Sequence, residues 1–193
     1  MHTETQTRPF PSAAERTLTT QRLTLRPMDM ADAARVALMC NDWDVARMLS
    51  LVVHPYAVSD AESWIARHPA GAEEGSDFPF AVIGPHGLLI GCVGLTLKNA
   101  PAYEIGYWLG REAWGKGYAT EAGAAVVAWA RDVLKVPALT SAHFIDNPAS
   151  GNVLKKLGFT YTGEDDHPCL ARGSTVRAKL MERVFDPNGE EPP

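Results

Sequence analysis

Residues 103–120 read YEIGYWLGREAWGKGYAT. The first part, Tyr103 to Leu109, is a short run of aromatic and aliphatic residues and reads as a strand. From Tyr118 to Leu134 the chain is rich in alanine, lacks proline and carries apolar residues at helical spacing, which makes this the clearest helix in the sequence. Gly115, Lys116, Gly117, Tyr118 and Ala119 therefore stand where a strand hands over to a helix. The first N–H groups of a helix have no internal partners, and the helix dipole favours an anion placed against them. Two glycines at that point let the backbone turn sharply and approach an anion closely. The turn Trp114–Thr120 (WGKGYAT) is thus a candidate phosphate cradle, with the Lys116 side chain either adding charge or pointing into water.

Two familiar phosphate loops do not fit this turn. Gly110 to Lys116 has the spacing GxxxxGK, but Gly117 follows where a serine or threonine would hold magnesium. A dinucleotide fingerprint GxGxxG would place its third glycine at Thr120, and no βαβ unit surrounds the turn. A glycine helix entry that binds nothing is the plain alternative.

Working towards the N-terminus, Leu18–Pro27 reads as a strand and Asp29–Cys40 as a helix capped by Asp29. Asn41–Ala57 is ambiguous, and Ser59–Arg67 reads as a helix with Ser59 as cap and Glu62 at capping-box spacing. Phe78–Ile83 and Leu88–Leu97 form a hairpin across Gly84–Gly87. Beyond the central helix, Ala138–Ile145 is a strand and Ala149–Leu157 a helix stopped by Gly158; Phe159–Thr162 and Thr175–Val184 are strands. Three strands in succession after the first helices indicate antiparallel pairing and not a doubly wound sheet. The fold class is therefore α+β: one mixed, mostly antiparallel sheet of about six to seven strands flanked by about four helices. One domain spans residues 18–185, between polar, proline-containing segments 1–17 and 186–193 that are expected to be loosely held.

The composition narrows the function. With 193 residues, 46% hydrophobic and 21% charged, the chain supports one globular core, and its longest apolar runs are too short to span a bilayer. The N-terminus lacks the basic and apolar regions of a secretory signal, and three dispersed cysteines form no disulfide framework, so a cytoplasmic location is expected. A net charge of -5 argues against nucleic acid as a partner and favours a cationic one. Six scattered histidines without HxH or HExxH spacing predict no metal site, and no GxSxG elbow offers an acyl-enzyme serine.

The blocks LTLRP (23–27), IGCVGL (90–95), EIGYWL (104–109), WGKGYATEA (114–122) and NPASGNVLKKLGF (147–159) together resemble the GNAT family of N-acetyltransferases, in particular the branch with the ribosomal-protein N-terminal acetyltransferases. The resemblance runs from Leu23 to about Val184. In that family the cofactor motif is Q/R-x-x-G-x-G/A; Gly115 and Gly117 match its glycines, whereas Glu112 stands at its first position.

The resemblance implies acetyl-CoA as co-substrate, with its pantetheine arm between splayed strands Tyr103–Leu109 and Ala138–Ile145. It implies that main-chain groups of Trp108 and Leu109 pair with that arm. Trp114, Gly115, Lys116, Gly117, Tyr118, Ala119 and Thr120 would surround the pyrophosphate, and Asn147 would contact the cofactor or cap its helix. Ser150 matches the serine the ribosomal-protein branch uses on the leaving thiolate, although serine at that position also caps helices. For the base, Glu104 is the choice, because burial on a strand lining the site could raise its pKa; Asp165, Asp166, His167 or water are the alternatives, and Cys169 occupies the position of the branch's own glutamate. Trp43, His54, Tyr56 and Trp64 are candidates for the acceptor pocket. The activity implied is direct acetyl transfer to an amine, on a protein N-terminus or a small molecule. The alternative is a catalytically weak CoA-binding or sensing module of the same fold, and a homodimer is compatible with either.

Overall fold

The computed structural model describes residues 10–99 and 102–185. One eight-stranded sheet runs through it in the order β1-β2-β3-β4-β5-β6-β8-β7. Its strands are β1 (Leu18–Thr19), β2 (Thr24–Pro27), β3 (Asp77–Ile83), β4 (Leu89–Asn99), β5 (Ala102–Leu109), β6 (Ala138–Phe144), β7 (Thr160–Cys169) and β8 (Ser174–Val184). Every neighbouring pair is antiparallel except β5 with β6. The α-helices are α1 (Ala33–Cys40), α2 (Trp43–Ala46), α3 (Val58–Ile65), α4 (His68–Glu74), α5 (Tyr118–Asp132) and α6 (Pro148–Lys156). The mixed, mostly antiparallel sheet is the expected one, with more strands and helices than expected.

The departures have local causes. The segment 18–27 folds back on itself as two short strands, β1 and β2, in place of one. Ser59 lies inside α3 and does not cap it; the carboxylate of Asp60 accepts the Ala57 N–H at 2.8 Å at the helix start. Helix α4 (HPAGAEE) lacks an apolar period, but Pro69 falls in its first turn, where no N–H bond is lost, and Gly75 at φ 73° ends it. Strand β7 extends to Cys169 where only Phe159–Thr162 was expected. Nine of its ten residues lie outside the core, so no alternation marks it, and the ladder to β8 holds it in place.

Two layers of side chains cover the sheet. On one face Val126, Trp129 and Ala130 of α5 and Leu154 of α6 pack on Phe78, Phe80, Val93, Ile105 and Leu139. The Trp129 ring stands edge-on to Phe78 and Phe80, with centroids 5.3 and 5.1 Å away, and each such fully buried ring is worth about 1.5–3 kcal/mol in apolar burial. On the other face Val36, Ala37 and Cys40 of α1 meet Ala61 and Ile65 of α3 over Ala81 and Leu89. Segment 10–17, expected to be loose, is packed where it is described: Phe10 stacks 6.2 Å from Phe78, and the Trp129 indole donates to the Glu15 carbonyl at 2.9 Å. Residues 1–9 and 186–193 of the two expected tails lie outside the described residues.

A polar clasp joins β1 and β2 to the start of α5. The Glu121 carboxylate accepts from the Thr20 hydroxyl at 2.6 Å, the Arg22 N–H at 2.8 Å and Arg22 Nε at 2.6 Å. Burial disfavours its ionisation, yet these hydrogen bonds outweigh burial and hold the carboxyl below its ordinary value. Removing the acceptor gives up these bonds at a site water can reach, so Glu121→Ala is expected to cost about 1 kcal/mol in urea unfolding. An unchanged unfolding midpoint would show that the clasp carries no stability.

His68, at the start of α4, is buried edge-on against Trp64 with centroids 4.4 Å apart, and among the described residues neither ring nitrogen has a hydrogen-bond partner. Burial first, then the charges of Arg67 and Arg16, push its pKa from 6.5 down to about 4. The unfolded chain therefore binds an extra proton between those values. The contribution of neutral His68 to stability is complete above 6.5 and declines as pH falls towards 4. In His68→Phe that part of the stability-against-pH curve should flatten; a slope equal to that of the native chain would locate the titration elsewhere.

Candidate functional site

Strand β5 stays paired to β4 from Tyr103 to Leu109, and β6 stays paired to β8 from Ala138 to Phe144. Between β5 and β6, however, only Tyr103 with Leu139 and Glu104 with Thr140 are in register. Beyond Glu104 the sheet opens as a wedge. Two side-chain bonds close its narrow end: Thr140 Oγ1 donates to the Tyr103 carbonyl at 3.3 Å and Ser141 Oγ to the Ile105 carbonyl at 2.8 Å.

These bonds fix which main-chain groups face the wedge. Odd-numbered residues of β5 turn theirs towards β6, so by strand alternation Tyr107 and Leu109 present main-chain groups to the opening. Trp108 turns its own towards β4, where its carbonyl oxygen lies 2.2 Å from where a Cβ on Gly91 would stand. The main-chain groups of Trp108 therefore do not face the opening, and the Leu109 carbonyl already accepts the Trp114 indole N–H at 2.8 Å.

The wedge is part of a continuous cleft of about 1290 Å³. At one end lies the start of α5. Gly115 and Gly117 have φ of 71° and 79°, in the left-handed region where L side chains are strained. A Cβ on Gly115 would meet nothing within 4 Å, so conformation and not crowding requires glycine there. Gly117 is the N-cap and no side chain caps the helix, which leaves its first N–H groups for an anion. Trp114, Gly115, Gly117, Tyr118, Ala119 and Thr120 all line the cleft. Lys116 lines a separate cavity of about 290 Å³ with Arg35 and Glu112. Its carbonyl accepts Arg22 Nη1 at 2.9 Å, and the Arg22 guanidinium lies 4.7 Å above the Tyr118 ring. Glu112, the unusual residue of the motif, pairs with Arg35 at 2.6 Å, so its charge near the anion site is compensated.

On the α6 side, Asn147 Oδ1 accepts the Ser150 N–H at 3.2 Å and so caps the helix. The Tyr107 hydroxyl lies 2.8 Å from both the carbonyl and the Oγ of Ser150. Burial pushes the Tyr107 phenol up to about 12, against the opposing effect of the Ser150 bond. All three side chains line the cleft.

On the opposite face of β5, Glu104, Gly106 and Trp108 form a row. Glu104 is half-buried, lines the cleft and pairs with Lys98 at 3.2 Å. Gly106 is exposed, and a Cβ there would meet nothing within 4 Å, so the floor is open between Glu104 and Trp108. Register places Asp77, Thr96 and Glu104 side by side on β3, β4 and β5. Asp77 lines the cleft and accepts from Thr96 Oγ1 at 3.0 Å; burial raises its pKa despite that bond. No motif marks Asp77 in the sequence, because only the pairing of three strands brings it to Glu104.

The aromatic candidates divide. Trp64 and Tyr56 line the cleft, with the Trp64 and Trp108 rings 6.5 Å apart. Trp43 and His54 are not among the described residues that line it; they stack edge-on with each other at 5.2 Å, and His54 Nε2 lies 3.2 Å from the Asn41 carbonyl. Of the alternative bases, His167 lines the cleft while Asp165 and Asp166 do not. All three lie on β7 and not in the loop expected there, with Asp166 3.4 Å from Arg177. Cys169 is buried with Sγ 3.5 Å from the carbonyls of Arg47 and Leu49, and takes no place in the cleft. Among the described residues no group of three or more His, Cys, Asp or Glu is placed to hold a metal ion, and no helix is long and apolar enough to cross a membrane.

Comparison with known proteins places this geometry. Residues 22–160 match the acetyltransferase (GNAT) domain. Over 152 residues the chain is 32% identical to the uncharacterized N-acetyltransferase p20 of Bacillus licheniformis, a match covering 76% of this chain and 84% of that protein. The ribosomal-protein-S5-alanine acetyltransferase of Vibrio fischeri has a TM-score of 0.77 at 20% identity, covering 91% of this chain and 99% of its own. RimJ of Mycobacterium smegmatis, solved with CoA-disulfide, has a TM-score of 0.75 at 21% identity, covering 84% and 81% respectively. At these identities the two structures share the fold.

The left-handed turn carries a prediction of its own. Gly117→Ala places an L side chain at a φ of 79° and should cost about 1–2 kcal/mol in urea unfolding. Unaltered stability would mean that the turn can adopt another conformation.

Proposed function

The chain belongs to the acetyltransferase (GNAT) domain family, and on that premise we propose that it is an acetyl-CoA-dependent N-acetyltransferase that passes the acetyl group directly to an amine. The observation that carries this reading is the wedge between β5 and β6. It connects the uncapped start of α5 with the carboxylate-bearing floor through a single cleft.

In this reading the N–H groups after Gly115 and Gly117 bind the pyrophosphate. The gap-facing groups of Tyr107 and Leu109 pair with the pantetheine arm, which supplies the sheet edge that β6 does not. The Tyr107 N–H faces the thioester oxygen as charge develops on it. Bound there, acetyl-CoA supplies an activated acyl group. The acceptor enters from the α3–α4 face through the opening at Gly106, between Glu104 and Trp108. Asp60, Asp77 and Glu104 line this half of the cleft together with Arg67, an excess of carboxylate that favours a cationic amine, whether a protein N-terminus or a small molecule. Attack needs the neutral amine, and Glu104 is placed to take its proton, directly or through a water. As the N–C bond forms and the C–S bond breaks, the departing sulfur faces Ser150.

CoA at a hundred times its Kd should then stabilise the chain by about 2.7 kcal/mol, read as a rise in Tm. Thiol release measured over a panel of amines should identify acceptors, and Glu104→Gln should lower kcat/KM by about a hundredfold, the size usual for a lost general base. A Tm rise with CoA but no thiol release from any amine would favour the CoA-binding module. No rise at all would remove the cofactor reading.

A further inference from the structure

Tyr107 belongs to β5 and Ser150 to α6, elements 43 positions apart in the chain, yet their hydroxyls meet at the wall of the wedge. The phenol has one proton and faces two acceptors at 2.8 Å, the Ser150 carbonyl and Oγ. The carbonyl can only accept, and the Asn147 cap holds the Ser150 backbone in place. Donated to the carbonyl, the phenol proton leaves Ser150 Oγ to donate to the phenol oxygen; donated to Oγ, it leaves the serine hydroxyl proton free for a group in the cleft. We propose that Tyr107 is a positioning residue which, by donating to Ser150 Oγ when the cofactor is bound, turns the serine hydroxyl proton towards the cofactor's sulfur. The inference rests on the acetyl-CoA reading of the wedge.

The chemistry of the pair limits what it does. Burial keeps the phenol protonated, with a pKa of about 12, whereas an ordinary thiol ionises near about 8.5. Full proton transfer from the phenol, through the serine, to a thiolate would run uphill by more than three powers of ten. The pair therefore donates hydrogen bonds and keeps its protons. As the C–S bond breaks, sulfur leaves with the electron pair and is stabilised as a thiolate, and the proton lost by the amine departs on the Glu104 side. Tyr107 would touch neither sulfur nor amine; it acts through the direction and polarisation of one O–H bond.

The thiol of bound CoA reports this directly, without turnover. Its pKa in the binary complex is read from the pH dependence of its alkylation rate, after binding has been established for each variant by Tm and Kd. The native chain should lower the thiol pKa relative to free CoA, and Ser150→Ala should abolish that shift. Tyr107→Phe keeps the ring and should bind CoA with unchanged Kd while losing at least half of the shift. Tyr107→Phe with Ser150→Ala should be no worse than Ser150→Ala alone, since the tyrosine acts through the serine. In turnover the same Phe variant should lower kcat severalfold at constant KM for acetyl-CoA. An unaltered thiol pKa in Tyr107→Phe, or a double variant that loses the sum of two separate effects, would overturn the proposal. Failure of the native chain to bind CoA would instead overturn the cofactor reading beneath it.

Discussion

Everything in this molecule turns on two neighbouring strands that begin to pair and then stop. Main-chain N–H and C=O groups inside a protein are almost always partnered, and a sheet interior normally partners them along its whole length. Here β5 and β6 are in register at only two residue pairs, although each is fully paired on its other side. The outer ladders tie β5 to β4 and β6 to β8, so the two strands diverge as parts of the two halves of the sheet. The open edge is therefore held open by the rest of the sheet.

The surroundings of that opening compensate charge before any ligand arrives. Arg35 neutralises Glu112, the acid nearest the glycine turn, and Arg22 Nε and Nη1 are held by Glu121 and the Lys116 carbonyl beside the Tyr118 ring. The uncapped start of α5 offers an anion main-chain dipoles. Such dipoles are fixed by the fold and need no side-chain ordering when the ligand binds, which is the usual advantage of a helix N-terminus. At the other end of the cleft the carboxylates Asp77 and Glu104 are met by Thr96, Lys98 and the charge of Arg67.

What could be read from the chain follows the range of the interactions involved. The glycine turn and α5 are written in consecutive residues: two glycines, no proline and a helical period. They stand in the structure where the sequence places them. The hairpin of β3 and β4 is legible for the same reason. Helix α4 was hidden because His68–Glu74 is short and its Pro69 looks like a breaker, and β7 because an outer strand without a core face has no alternation to show. Long-range registration accounts for the rest. That Tyr107 and not Trp108 turns its main-chain groups to the opening follows from a parity that only tertiary bonds such as those of Thr140 and Ser141 reveal. Asp77 is brought into line with Glu104 across the one intervening strand, β4, and Trp43 and His54, equal to Trp64 as aromatic candidates in sequence, turn to each other instead.

The Ser141–Ile105 bond has a further consequence. It forms the apex of a tapered space whose width increases with distance from it, so the apex works as a depth stop for whatever occupies the narrow end. Removing the serine hydroxyl would leave a buried carbonyl without its donor at the very point where the two strands part.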